Sequence, residues 1–175
     1  RILSVINLAT GIEERRLSAG NNPTGIQMSA DKSQLYVTSR RALLVPYGEP
    51  VVCELTVIND KTRMISGRKD VESAYMLENV AFTPENDLAI IPLIRPKNLI
   101  PSIQVERGFM MTNGIGIIEQ KKDGRIIQLL LDEPNAYYAD PFDIAITRDG
   151  KHAFVSNAGV NCISVINIDS LRRII

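Results

Sequence analysis

The sequence predicts an all-β protein, a β-propeller segment of about three to four four-stranded antiparallel blades belonging to a larger ring taken as seven-bladed. Three observations carry this reading. A hairpin signature recurs three times, as GIQMSADKSQLYVTS from Gly25, NVAFTPENDLAIIP from Asn79 and DIAITRDGKHAFVSN from Asp143. A further strand recurs four times, as LSVINLATG at Leu3, LTVINDKTR at Leu55, IGIIEQKKDGR at Ile115 and ISVINIDSL at Ile163. Sustained helical periodicity is missing from most of the chain.

In each hairpin, apolar and polar residues alternate on either side of a turn rich in Asp, Asn, Gly, Pro or Ser. Period-2 alternation marks a half-buried strand, and these residues supply the bend. Each copy of the further strand ends in a polar turn. After the first three come the return strands IEERRLS, MISGRKDV and IIQLLLDE. Strand, turn, return strand, gap and hairpin therefore repeat, so four short strands make one unit. The anchors Ile6, Ile58, Ile118 and Ile166 are spaced by 52, 60 and 48 residues, against roughly 40–50 for an elementary blade. Counted this way the chain holds three full blades and the start of another. The excess length is expected in loops, above all in the segment RPKNLIPSIQVERGF from Arg95 to Phe109. Its two prolines oppose strand pairing, which predicts a surface insertion at 95–109 within one propeller segment covering 1–175. KDVESAYMLENV and IDSLRRII are each expected to form at most a short helical turn.

Bulk properties narrow the function. With 20 basic and 20 acidic residues, the chain has no excess charge to neutralise a phosphate backbone, which argues against nucleic acid and an anionic membrane surface. LAIIPLI and RIIQLLL are far shorter than the roughly 20 apolar residues of a transmembrane helix, so no membrane span is expected. A start on Arg1 that leads straight into a strand reads as a processed or partial piece of something longer. Cys53 and Cys162 lie far apart and read as small buried hydrophobes rather than a disulfide framework.

The residues show no catalytic constellation. The sole histidine, His152, has neither a Cys-x-x-Cys-His context nor ligand partners at metal spacing, and no Gly-x-Ser-x-Gly elbow accompanies it. NGIGII at Asn113 leads into another strand, not the helix a dinucleotide site needs. The charges of GIEERRLSAGNN suit a solvated strand edge. LLLDEPNAYYADPFD has two readings. Asp before Pro initiates turns, whereas Asp132, Glu133, Asp140 and Asp143 together would offer a hard cation such as calcium the oxygen ligands it favours.

The strands LYVTS at Leu35 and AFVSN at Ala153, their preceding PTGIQMSADKSQ and PFDIAITRDGKH, and the SVIN at Ser4 and Ser164 resemble the YVTN-type β-propeller repeat. The middle unit, with LAIIP in that place, matches less well. The insertion with its flanks, RPKNLIPSIQVERGFMMTNGIGII and DPFDIAITRDGKHAFVSNAGVNCISVI, resembles a subset of secreted or periplasmic bacterial propellers that accompany c-type cytochrome modules, the propeller subunit of hydrazine synthase being one of that kind. That resemblance implies a periplasmic or extracellular scaffold with no cofactor of its own, haem residing on a partner or fused module. It implies a protein partner, a dihaem or multihaem cytochrome, and remaining blades from the same or another chain. In that subset a histidine often stands where this chain has Arg95 and Asn157, so contacts made through those imidazoles are not carried over.

Loops held on a rigid scaffold commonly carry binding, so Arg95, Lys97, Asn98, Glu106 and Arg107 are the expected partner contacts. The alternative is a metal-assisted hydrolase or lyase, lactonase-like, acting at the mouth of the channel.

Overall fold

The computed structural model describes residues 1–97, 100–106, 110–121 and 124–175. Strands β1 (Ile2–Ile6) and β2 (Glu13–Ser18) form a two-stranded sheet. β3 (Pro23–Met28), β4 (Gln34–Ser39), β5 (Val52–Asn59) and β6 (Met64–Glu72) form a four-stranded sheet in chain order. β7 (Ala81–Phe82), β8 (Leu88–Pro96), β9 (Met111–Glu119) and β10 (Ile126–Leu130) form a second. β11 (Pro141–Ile146), β12 (His152–Asn157) and β13 (Cys162–Asn167) make a three-stranded sheet. Every pairing is antiparallel. The strand total matches three to four blades. It is divided as two whole sheets between two partial ones, not as three full blades and the start of a fourth.

The hairpin turns share one chemistry. The hydroxyls of Ser29, Thr83 and Thr147 donate to the carboxylates of Asp31, Asp87 and Asp149. The N–H groups of Lys32, Asn86 and Gly150 donate back to the carbonyls of the same three residues, each at 2.9 Å. Those three donors occupy the same turn position, with φ of 61°, 53° and 69°. This left-handed region suits Gly and Asn and penalises other side chains.

Packing arranges the sheets face against face. Leu17 of β2 and Ala19 just after it pack on Val37 and Ile58 of the first complete sheet. Leu55, Val57 and Val71 pack on Ala89, Ile91, Leu93 and Ile118 of the second. Leu88, Ile90, Ile115 and Ile117 pack on Ile144, Ala153 and Val155 of the last. Tyr36 belongs to the middle interface, edge-on to Phe82 at 5.0 Å between ring centroids, with its hydroxyl donating to Gln120 at 2.8 Å. β8 shows why LAIIP does not read as an alternating strand. Its residues 88–94 are all buried, with Leu88 and Ile90 in one core and Ala89, Ile91 and Leu93 in the other.

The connection between the complete sheets is clamped by polar groups. Thr24 Oγ1 donates to the Leu77 carbonyl at 3.0 Å, and Thr38 Oγ1 donates to the Glu78 carbonyl at 3.0 Å while accepting from the Gly25 N–H at 2.9 Å. Gly25 is required by close approach, because a Cβ there would lie 2.4 Å from the Glu78 carbonyl oxygen. KDVESAYMLENV accordingly forms no helical turn. β6 continues to Glu72, Tyr75 exchanges backbone hydrogen bonds with Ile94, and the next residues enter the clamp.

IDSLRRII does form a helix, α2 (Ile168–Ile174), capped by Asn167 and anchored through buried Ile168 and Leu171. Arg172 holds it to the turn of the neighbouring sheet through Asp87 and Glu85. The insertion starts later than expected, because Arg95 and Pro96 still pair with Thr112 and Met111 in β8–β9. A short helix, α1 (Ser102–Glu106), follows. No helix among the described residues is long and apolar enough to cross a membrane.

Candidate functional site

A meander sends successive loops to alternate ends of its strands. The connections after β2, β4, β6, β8, β10 and β12 emerge at one end. The tight turns emerge at the other, together with α2. The expected partner and cation residues that lie among those described fall at or near the connection end, and His152 lies at the turn end.

Arg95 occupies the face of β8 that carries Ala89, Ile91 and Leu93, so it extends the middle interface outward. With Pro96 and Lys97 it lines a cavity of about 360 Å³ completed by Pro50, Ser73, Thr112 and Leu130. Glu106 is exposed on α1, beside exposed Ile103 and Val105. Asn98 and Arg107 lie outside the described residues. Glu106 therefore has two exposed apolar neighbours on α1, Ile103 and Val105, that the charge pattern did not signal.

The four carboxylates take separate jobs. Asp132 accepts from the Asn113 N–H at 2.7 Å, the Asn113 side-chain amide and the Tyr138 N–H at 2.9 Å. Asp143 Oδ1 accepts from Asn79 Nδ2 at 2.6 Å and from the Ile144 N–H at 2.8 Å. Glu133 forms a backbone bridge with Ala136, and Asp140 turns the chain at φ 54°. Among the described residues no three His, Cys, Asp or Glu side chains converge to hold a metal ion. The turn-forming reading of this stretch is the one its hydrogen bonds express.

Asn157, standing where a histidine was expected in the resembling subset, is also structural. With its amide oxygen toward Ser164 it accepts from the Ser164 N–H at 3.3 Å, and it donates to the Tyr138 carbonyl at 3.2 Å. It thereby ties the 131–140 connection to the last sheet. Cys53 is fully buried, and burial pushes its thiol up to about 11. Cys162 is half-buried, and both cysteines are free.

One feature escaped the sequence. Between the first strands β3 and β11, Thr24, Gly25, Ile26, Arg40, Glu78, Asn79, Phe142 and Asp143 line a cavity of about 390 Å³. Glu78 is only 7% exposed, and Arg40 Nε lies 2.9 Å from its Oε1 without hydrogen-bond alignment. Burial raises the Glu78 pKa, with Arg40 opposing. MLENV has no local signal for this, since the pairing is made only in three dimensions.

No family model matches the chain. It is 26% identical over 142 residues, 75% of its length, to hydrazine synthase subunit beta of Kuenenia stuttgartiensis, of which that match spans 37%. The solved structure of Kuenenia stuttgartiensis hydrazine synthase superposes on 99% of this chain and 48% of its own with a TM-score of 0.86 at 21% identity. A Bacteroides uniformis protein provisionally named a 6-phosphogluconolactonase superposes on 95% of this chain and 43% of its own with a TM-score of 0.56 at 14% identity. The chain thus spans about a third to a half of these relatives. It is a segment of a β-propeller similar to hydrazine synthase subunit beta.

Proposed function

We propose that this chain is a propeller scaffold within a multi-subunit redox enzyme, docking a cytochrome-bearing protein partner through its connection end. The observation that carries the reading is the similarity, over three quarters of the chain, to a protein named as a subunit of hydrazine synthase. The position of the insertion supports it, because Arg95, Lys97, Glu106 and the exposed Ile103 and Val105 stand together at one end of the fold. An apolar centre rimmed by charge is the usual make-up of a protein interface. Further blades complete the ring, and the compartment is periplasmic or extracellular.

Affinity capture of the full-length protein from native extract tests the proposal. A haem absorbance that follows the chain through purification, and is lost from an Arg95→Glu/Lys97→Glu protein of unchanged melting temperature, is the expected result. Capture of the protein free of any haem-bearing companion would sink it. Lactonase-like hydrolysis is the second reading. The Glu78 and Asp143 carboxylates at the β3–β11 cavity favour it, and turnover by the isolated protein that depends on added divalent metal would put it first.

A further inference from the structure

A furrow runs between β6 and β10, the outermost strands of the two complete sheets. Its cavities of about 460, 650 and 360 Å³ are continuous, the first two sharing Lys69 and Gly124 and the last two Ser73 and Arg95. Alternation along β6 turns Gly67, Lys69 and Val71 toward the neighbouring sheet, with Val71 inside the shared core. Lys69 reaches across to β10's turn, where it lies so near Gly124 that a Cβ there would meet Nζ at 2.0 Å.

Lys121 lines the turn end of the furrow, Lys69 its middle and Arg95 its connection end. Among the described residues, none of the three forms an ion pair. Asp70 and Glu72 also line its middle, and Arg68 lines its turn end while pairing with Glu54 and donating to the Ser18 carbonyl. In a chain whose charges balance overall, five cationic side chains, Arg68, Lys69, Arg95, Lys97 and Lys121, line the trough against two carboxylates, Asp70 and Glu72, a local excess of positive charge among the described residues.

We propose that this furrow binds an extended acidic segment of the docked protein partner, its carboxylates pairing with Lys121, Lys69 and Arg95. The inference rests on the docking reading and adds the chemistry of the partner. An extended chain advances about 3.3 Å per residue and presents alternate side chains to one side, so acidic residues at every second position meet a row of cations. β6 and β10 are both outermost strands of their sheets, so main-chain pairing to an open edge is available beside the cations. Recognition by strand-like peptides in grooves uses this combination of main-chain hydrogen bonds and alternate side-chain contacts.

The test uses a fluorescein-labelled octapeptide of alternating Glu and Thr, its Lys–Thr counterpart and inorganic polyphosphate, each titrated against the full-length protein by fluorescence anisotropy. The acidic peptide is expected to bind, to weaken with salt, and to lose at least tenfold in affinity in Lys69→Glu/Lys121→Glu protein. Zero-length carbodiimide coupling, which needs no variant, is expected to join the peptide's carboxylates to Lys69 or Lys121. Absence of binding, equal binding of the Lys–Thr peptide or polyphosphate, or coupling confined to other lysines would overturn the proposal. So would full retention of the native partner by the double variant, an outcome that leaves docking at the α1 end standing. Loss of the docking reading itself would appear as wild-type protein that captures no partner.

Discussion

Replacing Thr38 by valine keeps the shape of a fully buried side chain and removes one hydroxyl. That hydroxyl accepts from the Gly25 N–H and donates to the Glu78 carbonyl. Thr38→Val therefore strands a half-buried donor and a buried acceptor at the point where one sheet hands the chain to the next. Each stranded group costs about 1–3 kcal/mol, and the new methyl recovers part of that, for a net loss of about 2–4 kcal/mol. For a domain of this size each kcal/mol moves the melting temperature by roughly 2–4 °C, so circular dichroism should record a fall of roughly 5–15 °C. Thr38→Ser, which keeps the hydroxyl and loses one methyl group, should cost only about 1 kcal/mol. If the serine variant proves the less stable of the two, packing rather than hydrogen bonding holds the junction and the reasoning fails.

Three further outcomes follow from the turns, the buried thiol and the acidic connection. Lys32→Gly should raise stability by about 0.5–1 kcal/mol in thermal melts, because Lys32 occupies at φ 61° the position that Gly150 fills in the equivalent turn. Cys53, whose thiol is pushed up to about 11 by burial, should stabilise the fold fully below the ordinary thiol range. That contribution of about 2 kcal/mol should then be lost as the pH climbs toward 11, since the unfolded chain releases its proton first; urea melts of wild type and Cys53→Ala should differ in this pH slope. Asp132→Ala should lower the melting temperature equally in calcium and in chelator, because its carboxylate serves Asn113 and Tyr138. A loss that vanishes in chelator would restore the cation reading.

Local patterning carried much of the architecture. The turns near Asp31, Asp87 and Asp149 are readable because each takes its bend from residues adjacent in the chain. The insertion boundary was less legible, since Arg95 and Pro96 gain their strand conformation from Thr112 and Met111 across the sheet. The 73–80 connection misled for a related reason. Its side chains permit a helix, and only Thr24, Thr38 and Ile94, remote in sequence, draw its backbone out. The candidate site divides in the same way. Arg95 and Lys97 stand out as charges in a loop-like segment, whereas Glu78 beside Arg40, and Lys69 across from Lys121, become neighbours only when sheets stack. Asp132, Glu133, Asp140 and Asp143 stand close in sequence, and the hydrogen bonds that occupy Asp132 and Asp143 come from Asn113, Tyr138 and Asn79, elements that sequence proximity does not name.

β8 presents successive side chains to two different cores, Ile90 to one and Ile91 to the other. Trimming a methylene from either opens a gap along a single seam and leaves the opposite seam tight. Such a strand works as a spine with a bearing on its left and another on its right, so one short stretch of chain sets the spacing of two neighbouring blades at once.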